Sequence, residues 1–178
     1  MQMSLLILYG SIEGQTKKIA QFAADELTKA GQDVRVFDAA ERTTAIPFDG
    51  VDKVILAGSV HERRHPKDFE VALSAHKKQL SDRKTLLVSV SLSAAFEEGQ
   101  EEAQEYVTEL KMRTGLEPDA QALVAGAVRS DRYDYFATQV VRHVVLRDRS
   151  YDPTEGTHEF TDWDALAATL RAFAADDD

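Results

Sequence analysis

Short apolar runs that do not alternate, each followed by a helical pattern, constrain this chain more than any other feature. Ser4–Tyr9 reads SLLILY, 53–59 reads KVILAGS, 85–91 reads TLLVSVS and 122–128 reads ALVAGAV. A strand wetted on one face alternates apolar and polar residues; an unbroken apolar run of this length reads as a strand covered on both faces, as in parallel sheets. DVRVFD, at 33–38, does alternate and predicts a fifth strand with one wetter face. Between the strands, Gln15–Ala30 places Ile19, Phe22, Ala23, Glu26 and Leu27 at helical spacing and stops at Gly31. Pro66 opens a helix with the stripe Phe69, Leu73 and Leu80, and Glu97–Thr114 reads as an acidic helix with Tyr106, Val107 and Leu110 inward. A helix around Tyr135–Leu146 and a polar loop with Pro153 and Gly156 come next. TDWDALAATLRAFA closes the chain as a helix capped by Thr161 or Asp162, with Trp163, Leu166, Leu170 and Phe173 inward and a fraying Asp176–Asp178 tail. This order predicts an α/β fold, a doubly wound five-stranded parallel sheet with right-handed crossovers and helices on both faces.

Length and composition narrow the function classes. One chain of 178 residues without repeats or linker-like tracts reads as a single domain, 1–178, with an added helix and loop segment at about 130–160. Its formal net charge of −10 argues against sequence-independent nucleic-acid binding and against docking on anionic lipid. With no cysteine there is no disulfide, iron–sulfur cluster or thiolate metal site, and the scattered histidines form no metal set. The N-terminal apolar run is too short to span a bilayer and lacks a basic leader, so a cytoplasmic protein is expected. Peripheral contact with the inner face of the membrane and self-association stay open.

The loop after the first strand, Ser11-Ile12-Glu13-Gly14-Gln15-Thr16, lies at the carboxyl edge of the sheet and opens a helix. In doubly wound sheets ligands bind at that edge. Free N–H groups and the positive end of the helix dipole favour an anion there, Ser11 and Thr16 add hydroxyl donors, and Gly14 permits a positive φ. A capped helix after a tight turn is the plainer account of the same residues. The P-loop pattern fails because Gly10 and Gly14 enclose three residues and Gln15 stands where its lysine would be. The dinucleotide G-x-G-x-x-G is absent, and Tyr9-Gly10-Ser11 does not supply the acidic residues of a receiver domain.

What is left is the hydroxyl-rich pattern [ST]-x-x-G-x-T, and here the chain resembles the flavodoxins. The segments LILYGSIEGQTKKIA, DKVILAGSVH, LLVSVSL, ALVAGAVR and FTDWDALA stand in the order and spacing of one branch, the menaquinone-dependent protoporphyrinogen dehydrogenases and related flavodoxin-domain proteins. The resemblance covers essentially the whole chain and implies strand order 2-1-3-4-5 and FMN as cofactor. By position it puts Ser11, Ile12, Glu13, Gly14, Gln15 and Thr16 around the FMN phosphate. Ser59, Val60, His61 and Glu62 would lie along the flavin ring, Ser91, Leu92 and Ser93 on its other side, and Gly126 near it. It further implies an oxidoreductase of heme biosynthesis, passing electrons from a small reduced substrate through FMN to a quinone; no catalytic residue is assigned.

Departures from that family shape the expectation. An aromatic and a glycine follow strand three in the dehydrogenases, and Glu62 and Arg63 stand at those positions here, so flavin affinity would rest on the phosphate loop and backbone contacts. The segment VHERRHPKDF gathers His61, Arg63, Arg64, His65 and Lys67, either as a solvated loop or as cations for an acidic substrate such as a porphyrin's propionates. Tyr133–Arg149 mixes Phe136, Val140 and Val144 with arginines, a milder version of the dehydrogenases' membrane-associated region, and fits ordinary packing. Glu13 is compatible with a phosphate if its side chain faces solvent. Three functions stay open on these residues: an FMN oxidoreductase, a flavodoxin-type electron carrier acting through protein partners, and a flavin-free α/β binding module.

Overall fold

The computed structural model describes residues 2–129 and 157–176. Five strands, β1 (Ser4–Gly10), β2 (Asp33–Asp38), β3 (Lys53–Ser59), β4 (Lys84–Ser91) and β5 (Ala120–Ala125), form a sheet of order 2-1-3-4-5. Every pairing in it is parallel, with Ile7 opposite Val36 on one side and Ile55 on the other. The central place of β1 follows from its unbroken apolar run: Leu5, Leu6, Ile7 and Leu8 are all completely buried. Each such side chain contributes roughly 1.5–3 kcal/mol by leaving water.

Helices cover both faces. Helix α1 (Gln15–Lys29) and the final described helix α5 (Trp163–Ala175) pack Ile19, Leu27, Leu166, Leu170 and Phe173 against Leu5, Ile7, Ile55 and Val88. On the opposite face, α2 (Lys67–Ala75), α3 (Lys77–Ser81) and α4 (Gln100–Thr114) bring Phe69, Leu73, Leu80, Val107 and Leu110 onto Leu6, Leu8, Leu56 and Leu87. The chain therefore reverses winding direction between β1's neighbours β2 and β3, and the switch point lies at the carboxyl ends of β1 and β3.

Three sequence expectations are corrected, and the choice between Thr161 and Asp162 as the cap of the last helix is decided. The helix opened by Pro66 is two helices, because His76 leaves helical geometry at φ −114° while its Nδ1 and its backbone N–H both donate to the Ala72 carbonyl. The acidic helix begins at Gln100, after single tight turns at Ser93–Ala95 and Glu97–Gly99. Strand five is Ala120–Ala125: Gly126 donates to the Ser91 carbonyl, ending the ladder, and β6 (Ala127–Arg129) turns away to pair antiparallel with β7 (Thr157–Glu159). Asp162 caps α5 by accepting from the Ala165 N–H, whereas the Thr161 hydroxyl donates to the Ala125 carbonyl. The expected helix around Tyr135–Leu146 and the loop with Pro153 and Gly156 lie outside the described residues. Among the described residues no helix is long and apolar enough to cross a membrane.

Candidate cofactor site

At the carboxyl edge of the sheet, the loops after β1, β3, β4 and β5 meet around one cleft. Ser11, Ile12, Glu13, Gln15, Ser59, Val60, His61, Ser91, Leu92 and Gly126 line it, together with Val90 and Ala127. Those last two were not singled out from the sequence, since nothing in an apolar run marks which residue ends at a cleft. Of the other expected site residues, Gly14 and Thr16 lie just behind the cleft in the start of α1, Glu62 sits at an exposed turn tip, and Ser93 begins the turn after Leu92.

The loop after β1 is shaped by Gly14, which takes φ +100°, a conformation that a side chain would strain. The Gly14 N–H donates to Ser11 Oγ at 2.9 Å, so this hydroxyl turns the chain into α1. The first-turn N–H groups of α1 have no intrahelical acceptor. Thr16 is completely buried in that first turn. Its Oγ1 and His65 Nδ1 are the buried side-chain polar atoms that lack a hydrogen-bond partner among the described residues. An orphaned hydroxyl at a helix N-terminus is what a bound oxyanion would satisfy.

Glu13 does not project into solvent, the orientation expected of a carboxylate in a phosphate loop. Its side chain is largely covered and reaches across to His61, with Oε1 3.6 Å from Nδ1. The pair joins the loop after β1 to the loop after β3.

The loop after β3 is a two-residue hairpin in miniature. His61 and Arg64 exchange both backbone hydrogen bonds, at 2.9 and 3.1 Å, around Glu62 (φ +50°) and Arg63 (φ +68°). Two positive φ values define a turn that favours Asn-Gly, and a non-glycine residue there stores strain on the order of 1–3 kcal/mol. The same loop is tied to the sheet through the Val60 N–H, which donates to the Val90 carbonyl at 2.8 Å.

The cationic segment is neither solvated throughout nor gathered at the cleft. Arg63 pairs with Glu102 at 2.7 Å and Arg64 with Glu70 at 2.9 Å. Glu70 is buried and also holds Arg113 at 2.7 Å; burial pushes its carboxyl up, but the two guanidinium groups prevail and hold it below the usual carboxylate range. His65 turns under the sheet, is 2% exposed, and shares a 2.9 Å hydrogen bond between Nε2 and Ser89 Oγ. Desolvation lowers its pKa to about 4, against the opposing pull of Glu70, so it is neutral at pH 7.

A second network was invisible in the sequence because its members lie up to 146 residues apart. Gln15 Nε2 donates to Glu159 Oε2 (3.2 Å) and to Thr161 Oγ1 (3.1 Å). Lys18 and the Trp163 indole N–H both reach Glu159, each at 2.6 Å. Burial raises the Glu159 carboxyl, and these donors more than offset it, leaving it below its ordinary range. The start of α1 is thereby fastened to β7 and α5.

Residues 6–155 match the family described as a flavodoxin domain. The chain belongs to that family. This flavodoxin domain is 25% identical over 173 residues to the Protoporphyrinogen IX dehydrogenase (quinone) of Escherichia coli (strain K12), covering 97% of this chain and 95% of the relative. Among solved structures it is similar to a short-chain flavodoxin associated with a non-canonical PDU bacterial microcompartment, at a TM-score of 0.57 and 10% identity over 97% of both chains. Flavodoxin 1 from Bacillus cereus gives a TM-score of 0.55 at 15% identity, over 96% of this chain and 97% of that one. Fusobacterium nucleatum flavodoxin bound to flavin mononucleotide gives 0.50 at 12%, over 96% and 93%. These structural likenesses establish the flavodoxin fold. Among the described residues no group of three or more His, Asp or Glu could hold a metal ion.

Proposed function

We propose that this flavodoxin domain binds FMN in the cleft at the carboxyl edge of its sheet and acts as an oxidoreductase that passes electrons from a small reduced substrate to a quinone. The buried Thr16 hydroxyl without a partner, at the first turn of α1, is the observation that carries FMN binding. The E. coli relative's name, a quinone-linked protoporphyrinogen dehydrogenase similar along nearly the whole chain, supports the reaction class. FMN when bound supplies hydride and one-electron chemistry. This chain's part is to hold and orient it. Ser11, Thr16 and the N–H groups around Gly14 and Gln15 take the phosphate, with the α1 dipole reinforcing them. Ser59, Val60, His61 and Glu62 on one side, and Ser91, Leu92 and Ser93 on the other, would flank the ring, with Gly126 near it. We also assign the whole chain, 1–178, to one domain, with the 130–160 segment as its elaboration.

The paired state of the arginines favours a second possibility, a flavodoxin-type electron carrier. Arg63 and Arg64 are each engaged by a carboxylate, so the loop after β3 offers less positive charge to a substrate's propionates than its composition suggests.

A visible spectrum of the purified protein, followed by FMN titration of the Ser11→Ala/Thr16→Ala double variant, tests the cofactor. The expected result is a yellow protein whose colour survives dialysis and is lost in the variant. A wild-type protein that stays colourless after FMN addition and dialysis overturns flavin binding. Turnover of protoporphyrinogen with a menaquinone analogue then separates the enzyme from the carrier: flavin-loaded protein without turnover leaves the carrier.

A further inference from the structure

We propose that Glu102, on the first turn of α4 and outside the cleft, is a positioning residue that holds both ring-side loops of the cleft in place. For its consequence in flavin affinity this rests on FMN binding at the cleft.

Three groups from three places converge on this carboxylate. Oε1 accepts from Arg63 Nη1 at 2.7 Å and from the Tyr106 hydroxyl at 2.6 Å, and Oε2 accepts from Ser93 Oγ at 3.4 Å. Arg63 belongs to the hairpin turn that carries His61, and Ser93 to the turn that follows the cleft residues Ser91 and Leu92. Tyr106 is 6% exposed, so the third contact anchors the carboxylate to the core of the fold. The base is firm as well: Gly99, just before α4, packs so closely on the Ser93 carbonyl that a Cβ could not fit. Gln100 adds bonds to the carbonyls of Ala94 and Phe96, at 2.7 and 3.2 Å.

An exposed ion pair on a helix ordinarily contributes little. Here the pair restrains a turn whose two central residues both sit at positive φ without being glycine. Such a turn relaxes unless its surroundings over-determine it. Arg63 is over-determined: the carboxylate holds one edge of its guanidinium, and its face lies 5.4 Å from the centroid of the Tyr106 ring. Glu105 also approaches Arg63, at 3.8 Å, but it is more exposed and makes no bond to the loop after β4. Glu102 is therefore the residue through which α4 sets the spacing of the two loops, and with it the width of the slot between them.

The test combines amide hydrogen exchange with FMN titration on the full chain. Glu102→Ala should speed exchange at His61, Arg64 and Ala95 by about tenfold while amides of β1 and β3 keep wild-type protection. It should weaken FMN binding by about tenfold, with Glu105→Ala unchanged. Glu102→Gln keeps one acceptor oxygen for Arg63 and Tyr106 and sets an amide N–H, in place of the second oxygen, beside Ser93 Oγ, so it should retain most of the affinity. Arg63→Gly supplies the control, because glycine occupies φ +68° without strain. In that background Glu102→Ala should no longer affect the His61 and Arg64 amides, while Ala95 still responds through Ser93. Unchanged exchange at His61 and Arg64 in Glu102→Ala overturns the proposal, as does an equal loss of FMN affinity in Glu105→Ala. Should the alanine variant not fold, Glu102→Gln and Arg63→Gly carry the comparison, and identical loop exchange in wild type, Glu102→Gln, Arg63→Gly and the Arg63→Gly/Glu102→Gln pair overturns it. A wild-type protein that binds no FMN defeats the cofactor assignment alone, since the exchange measurement still decides whether Glu102 holds the loops.

Discussion

Thr16 shows how one side chain can be poorly accommodated by the fold and still fit its site. Its hydroxyl is buried at a helix N-terminus with no partner among the described residues, an arrangement that destabilises by roughly 1–3 kcal/mol. Ser11, the other hydroxyl of the loop, is already engaged with the Gly14 N–H. Thr16 is therefore the hydroxyl whose removal separates stability from binding. Thr16→Val, which keeps the shape and removes the hydroxyl, should leave the flavin-free protein as stable as wild type or about 1 kcal/mol more stable by urea denaturation. The same variant should bind FMN more weakly. A clear loss of stability without flavin would mean that the hydroxyl has a structural partner. Glu13 carries a related lesson: the sequence permits a carboxylate in a phosphate loop only with its charge turned away, and the fold turns it sideways onto His61.

At the scale of elements, what fastens the helices to the sheet is often a single polar side chain at an end. Lys53 opens β3 and is 5% exposed. Its Nζ donates to the carbonyls of Phe173 (2.7 Å), Ala174 (3.2 Å) and Asp176, capping the C-terminus of α5 with a positive charge. Lys84, beginning β4, reaches the Asp176 carboxylate at 2.6 Å. Lys53→Met should destabilise the protein by about 3 kcal/mol in urea denaturation, with an unchanged m-value, because buried carbonyls lose their donor. Protection of α5 amides should fall first. An effect below about 0.5 kcal/mol, the size expected of an ordinary surface substitution, would show that the cap contributes nothing.

For the whole molecule, the buried His65 links stability to pH. Desolvation holds its folded-state pKa at about 4, below the ordinary value of 6.5, with Arg113 also disfavouring the cation and Glu70 favouring it. Neutral His65 is thus favoured by folding. Its contribution is present above pH 6.5 and is lost as pH falls from 6.5 through about 4, below which both states are protonated. That loss is on the order of 3 kcal/mol, and it should appear as a falling urea midpoint across this window. His65→Gln, which can keep the bond to Ser89, should flatten the slope between pH 6.5 and about 5. A slope identical to wild type there would assign the acid sensitivity to other groups. Glu70, held below its usual range by Arg64 and Arg113, acts in the same direction at lower pH, its stabilisation being lost as pH falls through its folded pKa.

By itself the sequence determined the architecture: five strands, helices on both faces, and a hydroxyl-bearing loop at the edge where such sheets bind ligands. Those features are local. Continuous apolar runs, helical spacing and a Gly beside hydroxyls can be read within about ten or fifteen neighbouring residues. Element ends were less legible where a group from elsewhere decides them, as with Gly126 answering to the Ser91 carbonyl across the sheet. Only the tertiary structure decided how the charges are spent. Glu102 meeting Arg63 and Ser93, Glu159 meeting Gln15 and Lys18, and His65 passing from a loop of basic composition to the buried hydroxyl of Ser89 all depend on which faces the fold brings together. The physical reason is one of range: apolar periodicity is set by neighbours along the chain, whereas a polar side chain's partner is set by proximity in space across separations of up to 146 residues.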